Sequence, residues 1–474
     1  MKKNILFYFL IFPLFIFSQN PYTHNGSYSL SNIYVSFPSA FGLGSGNCGS
    51  GTTQTIIING DLNLNGGWLE LRNVELIVYG NLNGGGIINS CSNESTYCVR
   101  GAIQNNPTFW GVTRNINCQT CTKTWIGSQS SSWDNGANWS PSGVPTIDCD
   151  VIINNNVACQ ISTKNAEAKT ITISNTGNLT INNEGLVTVK GKVEVGTNAQ
   201  FLIENNSSLI QIDNVANVGN IIKKRSTTIT KMDYVYWASP VENFNISSVS
   251  PNSSLIYKWI PTVANNLNGY GNWAGANNET MITGKGYIVR GPNDFSTTTA
   301  QTYTATFVGK PNNGTITIPL TRGTYSGANY ATSSGVGTED DDNWNLIGNP
   351  YPSALNADLF LSNPLNSGIL DPTIYLWTHN TAVAGNNYSS SDYAVYNYLG
   401  GTGTTAAPSG ATGGFNNNVP NGKIASGQSF FIKGLANGNA TFTNAMRVAG
   451  NNDQFFRMSQ PTAQTDSNTF EKHR

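Results

Sequence analysis

The sequence predicts an all-β protein, with short β-solenoid (β-helix) segments followed by two related antiparallel β-sandwich lobes. Three observations carry that prediction. Charged residues make up only 11% of the 474 positions, while Gly alone supplies 49 and Asn, Ser and Thr fill most other polar places. Turn-rich β-proteins use this mixture, with β-branched and aromatic residues on strands and Gly or Asn where φ is positive. The 20 Tyr, 20 Phe and 10 Trp also separate the chain from a disordered polymer of low charge. Next, apolar strands of three or four residues recur every six to ten positions, each closed by Gly or Asn. Finally, the back half carries four sequence blocks twice in the same order. No stretch longer than a single turn combines a helical period with caps.

The start of the chain reads as a secretory signal over residues 1–18. Lys2 and Lys3 are the charged region, Ile5 to Phe17 an apolar run broken only by Pro13, and Ser18-Gln19 the cleavage point. The run is short for a membrane span. No Cys follows it to take a lipid, and no second apolar run of membrane length follows. The expected address is therefore the medium or the outer cell surface, with no transmembrane segment in the mature chain. A formal charge of −1 and a pI near 6.3 leave no electrostatic footprint for nucleic acid. The one basic cluster, Lys223-Lys224-Arg225, is expected on a solvated edge or turn.

Residues 19–123 form the first expected solenoid-like region. Thr55 to Ile58, Leu62 to Leu64, Trp68 to Leu71, Val74 to Tyr79 and Ile87-Ile88 alternate with turn residues, as coils of a solenoid or a tight meander would. All seven cysteines fall in the first third: Cys48, Cys91, Cys98, Cys118, Cys121, Cys149 and Cys159. An exported chain would oxidise them. By spacing, Cys91 with Cys98 and Cys149 with Cys159 are the easiest local disulfides. Cys118-Gln-Thr-Cys121 has the spacing of a redox motif or half a zinc site, but no second pair and no nearby His supports either, so structural bonding is expected.

Residues 124–147 are a Trp-rich connector. Trp125, Trp133 and Trp139 could stack on sugar, but are expected to pin a loop-rich cap onto a strand stack. The pattern Trp125-Ile-Gly, Ser130-Ser-Ser-Trp133, Asn138-Trp139, Gly143-Val-Pro145 and Asp148-Cys-Asp150-Val-Ile-Ile153 resembles a repeat common in secreted and surface proteins of Bacteroidetes. There the repeat precedes β-solenoid stretches. The last element carries an inserted cysteine here.

A second short solenoid is expected over 148–230, from Thr170 to Ile173, Asn178 to Ile181, Leu186 to Val189, Lys192 to Val195, Phe201 to Ile203 and Leu209 to Ile212. Glu184, Glu194 and Glu204 recur at ten-residue spacing. They suggest either outward solubilising positions or an acidic ladder, and only the ladder would serve calcium or polysaccharide cleavage.

Lobe 1 is expected over 231–335 and lobe 2 over 336–474. Tyr236 to Pro240 matches Leu346 to Pro350; Ile256 to Trp259 matches Ile374 to Trp377. Gly284 to Gly291 matches Gly427 to Gly434, and Tyr303 to Phe307 matches Asn439 to Phe442. Loops absorb the insertions. Tyr257 with Trp259, and Tyr375 with Trp377, alternate so that each pair shares a face. That face is either core or a glycan platform. Trp273, Tyr388 and Tyr393 are the candidate glycan contacts. Glu339-Asp-Asp-Asp342 is an acidic turn that could collect Ca²⁺ but lacks the spacing of an EF-hand. Of three histidines, His24 is near the mature start, His473 near the chain end and His379 in the Thr378-His-Asn380 loop of the second copy, where no nucleophile elbow precedes it.

Asn343 to Ala354, Tyr375 to Asn380, Asp392 to Tyr396 and Gly427 to Ile432 are similar to a module frequent in flavobacterial exported proteins. That family carries a C-terminal sorting domain for type IX secretion. The resemblance covers about residues 124 to 474 and implies lineage and export more than activity. No sorting domain follows Phe455-Phe-Arg-Met458, and the chain is expected to be truncated after Arg474. The leading expectation is an exported, non-catalytic, adhesin-like or structural surface protein without cofactor. Its partners would be extracellular glycan or matrix, other surface proteins and the export machinery. A carbohydrate-binding accessory module and a polysaccharide-cleaving enzyme on the solenoid are the alternatives.

Overall fold

The computed structural model describes residues 121–264, 270–324, 330–332, 335–337, 341–378, 392–403, 419–450 and 452–456. In the first part of the chain it describes 22–24, 28–29, 34–36, 54–58, 61–65, 68–71, 74–78, 80–90, 95–99 and 102–114. The signal region lies outside these residues. The chain divides into two compact units, residues 1–121 and 122–474, and both begin from the same arithmetic of short strands.

In the first unit the strands stack in parallel on three sides. Gln54–Ile58, Val74–Val78 and Thr96–Val99 lie in one sheet, Leu62–Asn63 and Leu82–Asn83 in a second, and Trp68–Leu71, Ile87–Ser90 and Thr108–Trp110 in a third. Ile56 pairs with Leu76 and Leu76 with Tyr97, so a coil takes 20 and then 21 residues. This is a solenoid, not a meander. Its narrow core is Leu62, Leu69, Leu76, Leu82 and Ile88. Asn83 Nδ2 donates to Asn63 Oδ1 at 2.9 Å, repeating the same polar rung one coil later.

The second unit opens with a similar three-sided stack. Val151 pairs with Ile171 and Ile171 with Val193; Cys159 with Leu179 and Leu179 with Phe201; Ala166 with Val187 and Val187 with Leu209. Each coil therefore takes 20 to 22 residues, and the six-to-ten-residue interval is one side of a coil. All nine of those side chains are buried in one cluster. Each contributes about 1.5–3 kcal/mol if it is a full Val, Ile, Leu or Phe burial. Corners are tight: a Cβ on Gly177 would stand 2.2 Å from the Ile153 carbonyl oxygen of the coil before.

Strand β1, Ile221–Ile229, joins the solenoid to the antiparallel sheets beyond it. Its start runs parallel to Gln200–Ile203 and its whole length antiparallel to β6, Gln301–Gly309. Ile221 and Ile229 set the phase, so Lys223 and Arg225 point inward and are buried. This corrects the expected solvated edge. The cost of burying a cation is offset by carbonyls. Lys223 Nζ donates to Glu204 O, Asn205 O and Ser207 O at 2.7–2.9 Å. Arg225 Nη1 donates to Asn205 O and Asn452 O. Burial pulls the pKa of both below the ordinary range. Only Lys224 faces out, paired with Glu204 at 2.9 Å.

Most of the remaining strands build one sandwich twice; Ala354–Asn356, Lys423–Ile424 and Arg447–Val448 form a separate small sheet, and Tyr330–Thr332 pairs with Gly335–Gly337. In the first copy β2 (Tyr234–Trp237), β3 (Ile256–Ala264), β4 (Tyr270–Gly275) and β5 (Tyr287–Arg290) form a sheet of order β2-β5-β3-β4, backed by β1 and β6. In the second, β7 (Ile316–Leu320) pairs with a late strand, β13 (Gly438–Phe442), and the pair backs a five-stranded sheet. That sheet holds β8 (Trp344–Gly348), β9 (Leu370–Trp377), β10 (Tyr393–Asn397), β11 (Gly400–Thr402) and β12 (Ser429–Gly434) in the order β8-β12-β9-β10-β11. The strand orders superpose, and so do the registers. Trp237 opposes Tyr287 as Ile347 opposes Phe430, and Trp259 opposes Trp273 as Trp377 opposes Tyr393. Each copy also takes in the strand before its matched blocks, β1 or β7, which the matched sequence blocks pass over.

Both faces of each main sheet are covered. In the first copy Val235, Trp237, Tyr287 and Val289 face β1 and β6. In the second, Ile347, Phe430, Ile432 and Ile374 face β7 and β13. The alternate residues meet between the copies in an aromatic layer centred on Tyr236, Ile288, Leu346, Trp377 and Phe431. The contacts across it are reciprocal. Trp259 Nε1 donates to Trp344 O at 2.8 Å, and its counterpart Trp377 Nε1 donates to Tyr234 O at 3.1 Å. Ala238 N donates to Gly427 O, and Gly348 N to Gly284 O, both at 2.9 Å. Equivalent groups exchange equivalent bonds, as across the two-fold axis of a homodimer.

Candidate functional site

The Trp-rich connector is structural. Trp125, Trp133 and Trp139 are all buried. Trp139 meets the other two edge-on, at 5.0 Å from Trp125 and 4.8 Å from Trp133, the arrangement that ring quadrupoles favour. Trp133 N donates to Gln160 O and Gln160 N to Ser131 O, so the connector caps the second side of the first coil. Asn138 organises the loop. Its Oδ1 accepts from Gln129 N and Ser130 N, and its Nδ2 donates to Ser130 Oγ and Ser132 O.

Cys121 and Cys149 form a disulfide. This corrects the pairing of Cys149 with Cys159. The sheet order sets Cys121–Trp125 directly beside Cys149–Ile153, whereas Cys159 begins the next side of the coil. Cys159 is a free, buried thiol whose pKa burial pushes well up. Cys98 is disulfide-bonded; Cys48, Cys91 and Cys118 lie outside the described residues.

The glutamates do not form a ladder. With 20 to 22 residues per coil, a ten-residue spacing is half a turn. Glu184 sits exposed in a corner at φ 67°. Glu194 lies on one side, beside Lys192 at 2.5 Å, and Glu204 follows a strand of another side. An enzyme built on that carboxylate row loses its row. Of the acidic turn, Glu339 and Asp340 fall outside the described residues, and Asp342 is buried with its backbone bonded to Gly323. Among the described residues no group of three or more His, Cys, Asp or Glu could hold a metal.

Trp273 and Tyr393, offered as glycan contacts, prove to be counterparts in the two copies, and both sit in the aromatic layer. Of the two readings of this face, core or glycan platform, the rings pack as core between the copies. Trp273 meets Trp259 edge-on at 5.0 Å and 70°. Tyr393 meets Trp377 at 5.1 Å and 64°, and its hydroxyl bonds that of Tyr236 at 2.7 Å. Burial raises the pKa of both hydroxyls. Tyr388 and His379 lie outside the described residues.

What the surface does offer is an apolar ledge on the second copy. Helix α1, Ala357–Leu361, is capped by Asn356, whose Oδ1 accepts from Asp358 N and Leu359 N. Asp358 Oδ1 accepts from the Tyr396 hydroxyl at 2.9 Å, placing α1 under the β10–β11 turn. There Leu399 is 98% exposed and Tyr398 half exposed, with Leu359 and Val419 also open. A Cβ on Gly401 would stand 2.1 Å from Pro420 O, so β11 lies tight against that edge. Among the described residues the first copy's main sheet stops at β4 and has no counterpart of β11. Sequence reasoning missed this ledge; its only trace was that these residues fall between matched blocks.

A family model described as Domain of unknown function (DUF8693) matches residues 124–474. No curated protein and no solved structure matches the chain.

Proposed function

Since the chain belongs to the DUF8693 family over residues 124–474, a family that brings no activity with it, we propose a role from its own geometry: an exported, non-catalytic, adhesin-like structural protein of the cell surface or extracellular space. The observation that carries this reading is β1. The strand that completes the solenoid is also the strand that starts the first sandwich, so solenoid and doubled sandwich are joined without a linker. Such a body suits holding a surface at a fixed distance. Its large aromatic rings pack against one another, and its buried cations are bonded to backbone.

Export is supported by the Lys2-Lys3 and Ile5 to Phe17 pattern and by a disulfide, which suits an oxidising compartment. Passage by the type IX route, in a Bacteroidetes cell, rests on the resemblance of residues 124 to 474. The contacting surface would be the ledge of Leu359, Tyr398 and Leu399, apolar with one aromatic edge, facing extracellular glycan, matrix or another surface protein.

The test is a glycan-array and matrix-binding screen of the full chain and of a Tyr398→Ser, Leu399→Ser variant, with fractionation of the source cells. Binding lost in the variant, and protein recovered from the medium or outer surface, would support the reading. Turnover of a polysaccharide, or retention of the signal-bearing chain in the cytoplasm, would overturn it.

A further inference from the structure

Residues 452–456 join three parts of the second unit within five positions. Asn452 Nδ2 donates to Ser207 O at 2.8 Å and to Ser208 Oγ, in the third coil of the solenoid. Asn452 O accepts from Arg225 Nη1 at 2.6 Å, on the shared strand β1. Asn452 Oδ1 accepts from Ser426 N at 2.8 Å, and Phe456 N donates to Gln428 Oε1 at 2.8 Å, both in the second sandwich.

The two phenylalanines divide the same way. Phe455 enters the core shared by the solenoid and first sandwich, 5.1 Å from Trp237, and the Arg225 guanidinium lies 4.7 Å over its ring. Phe456, its neighbour, enters the core of the second sandwich. Adjacent side chains buried in two different cores leave no way to withdraw the segment from one alone. Arg225 makes the seat consequential. It is buried, and the strap supplies one of its carbonyl acceptors and the ring under its plane. Without the strap a buried cation faces an unfilled gap.

We propose that residues 452–456 are a closing lock. The solenoid end and both sandwiches become one cooperative unit only when this strap is seated. A chain delivered N-terminus first therefore stays open at the third coil until 452–456 arrive. This goes beyond the binding role above and does not depend on it.

The test is native-state hydrogen exchange on the full chain with Asn452→Ala, Phe455→Ala and, as a control cavity in the second sandwich outside residues 452–456, Phe442→Ala. Loss of the lock exposes amides on both sides of it. The amides of Ser208 and Leu209 in coil three, and those of residues 428–430 in the second sandwich, exchange about ten-fold faster or more in Asn452→Ala, while Ile171 in the second coil is unchanged. Phe442→Ala speeds exchange in β7 and β13 and leaves coil three alone. If Phe455→Ala does not fold, Asn452→Ala, which removes hydrogen bonds and no apolar volume, carries the test. The proposal is overturned if Asn452→Ala leaves the Ser208 and Leu209 amides at wild-type rates, or if Phe442→Ala opens coil three equally.

Discussion

The reciprocal indole bonds between the two copies give a prediction that can be worked through. Trp259→Phe removes the donor to Trp344 O, and Trp377→Phe removes the donor to Tyr234 O. Each change keeps an aromatic ring in place and leaves one carbonyl oxygen in the layer unbonded. An orphaned buried acceptor costs about 1–3 kcal/mol. Trp377 is the more buried of the two, so its replacement falls toward the upper end. The two bonds share no atom, and the double variant should lose the sum of the two losses to within about 0.5 kcal/mol. The assay is urea unfolding followed by far-UV circular dichroism, comparing midpoints at constant slope. If either single change costs less than about 0.5 kcal/mol while the other costs its full share, the two contacts are not equivalent and the argument from symmetry fails.

Three other contacts give expected outcomes of their own. Tyr236 and Tyr393 share a hydroxyl bond inside the aromatic layer, with both pKa values raised by burial. Above pH 10 the unfolded tyrosines release protons that the folded ones keep, so the unfolded state binds fewer protons and stability falls as pH rises. Tyr236→Phe should reduce the fall between pH 10 and 11 by about 1 kcal/mol, read from unfolding midpoints. Asn138→Ala strips the connector loop of four hydrogen bonds and should cost about 2–4 kcal/mol, with new protease cleavage between residues 126 and 140 as the direct readout. Cys121→Ser should cost about 3 kcal/mol for the loop to Cys149, and mass spectrometry of the alkylated wild type should show these two sulfurs protected and Cys159 modified only after denaturation.

Much of this architecture was legible because strand chemistry is local. Thr170 to Ile173 or Leu186 to Val189 can hardly be anything but short strands, and the Gly and Asn after them must turn. Alternation also put Tyr257 with Trp259 on one face. What alternation cannot say is which surface covers that face, and here it is the same face of the other copy. Spacing misled where the closed coil sets the distance. Cys149 and Cys159 are near in sequence but on different sides, and the glutamates at ten-residue steps fall on different sides as well. Lys223 and Arg225 were misplaced because three consecutive cations read as surface. Strand phase, counted from Ile221, sends alternate ones inward. The ledge of Tyr398 and Leu399 left almost no signal, because exposure belongs to the assembled surface and not to the residues.

The reciprocal interface has a consequence for how such a molecule could persist and change. Two separate chains joined by these contacts would part on dilution. Joined through the short connection 310–315, each half sees the other at an effective concentration that no dilution alters, about millimolar for short linkers. Covalent union also frees the halves from having to vary together. In a true homodimer β11 would appear twice; among the described residues one half carries it, while the Asn-capped turn after the matched proline occurs in both, at Ile246–Ser248 and at α1.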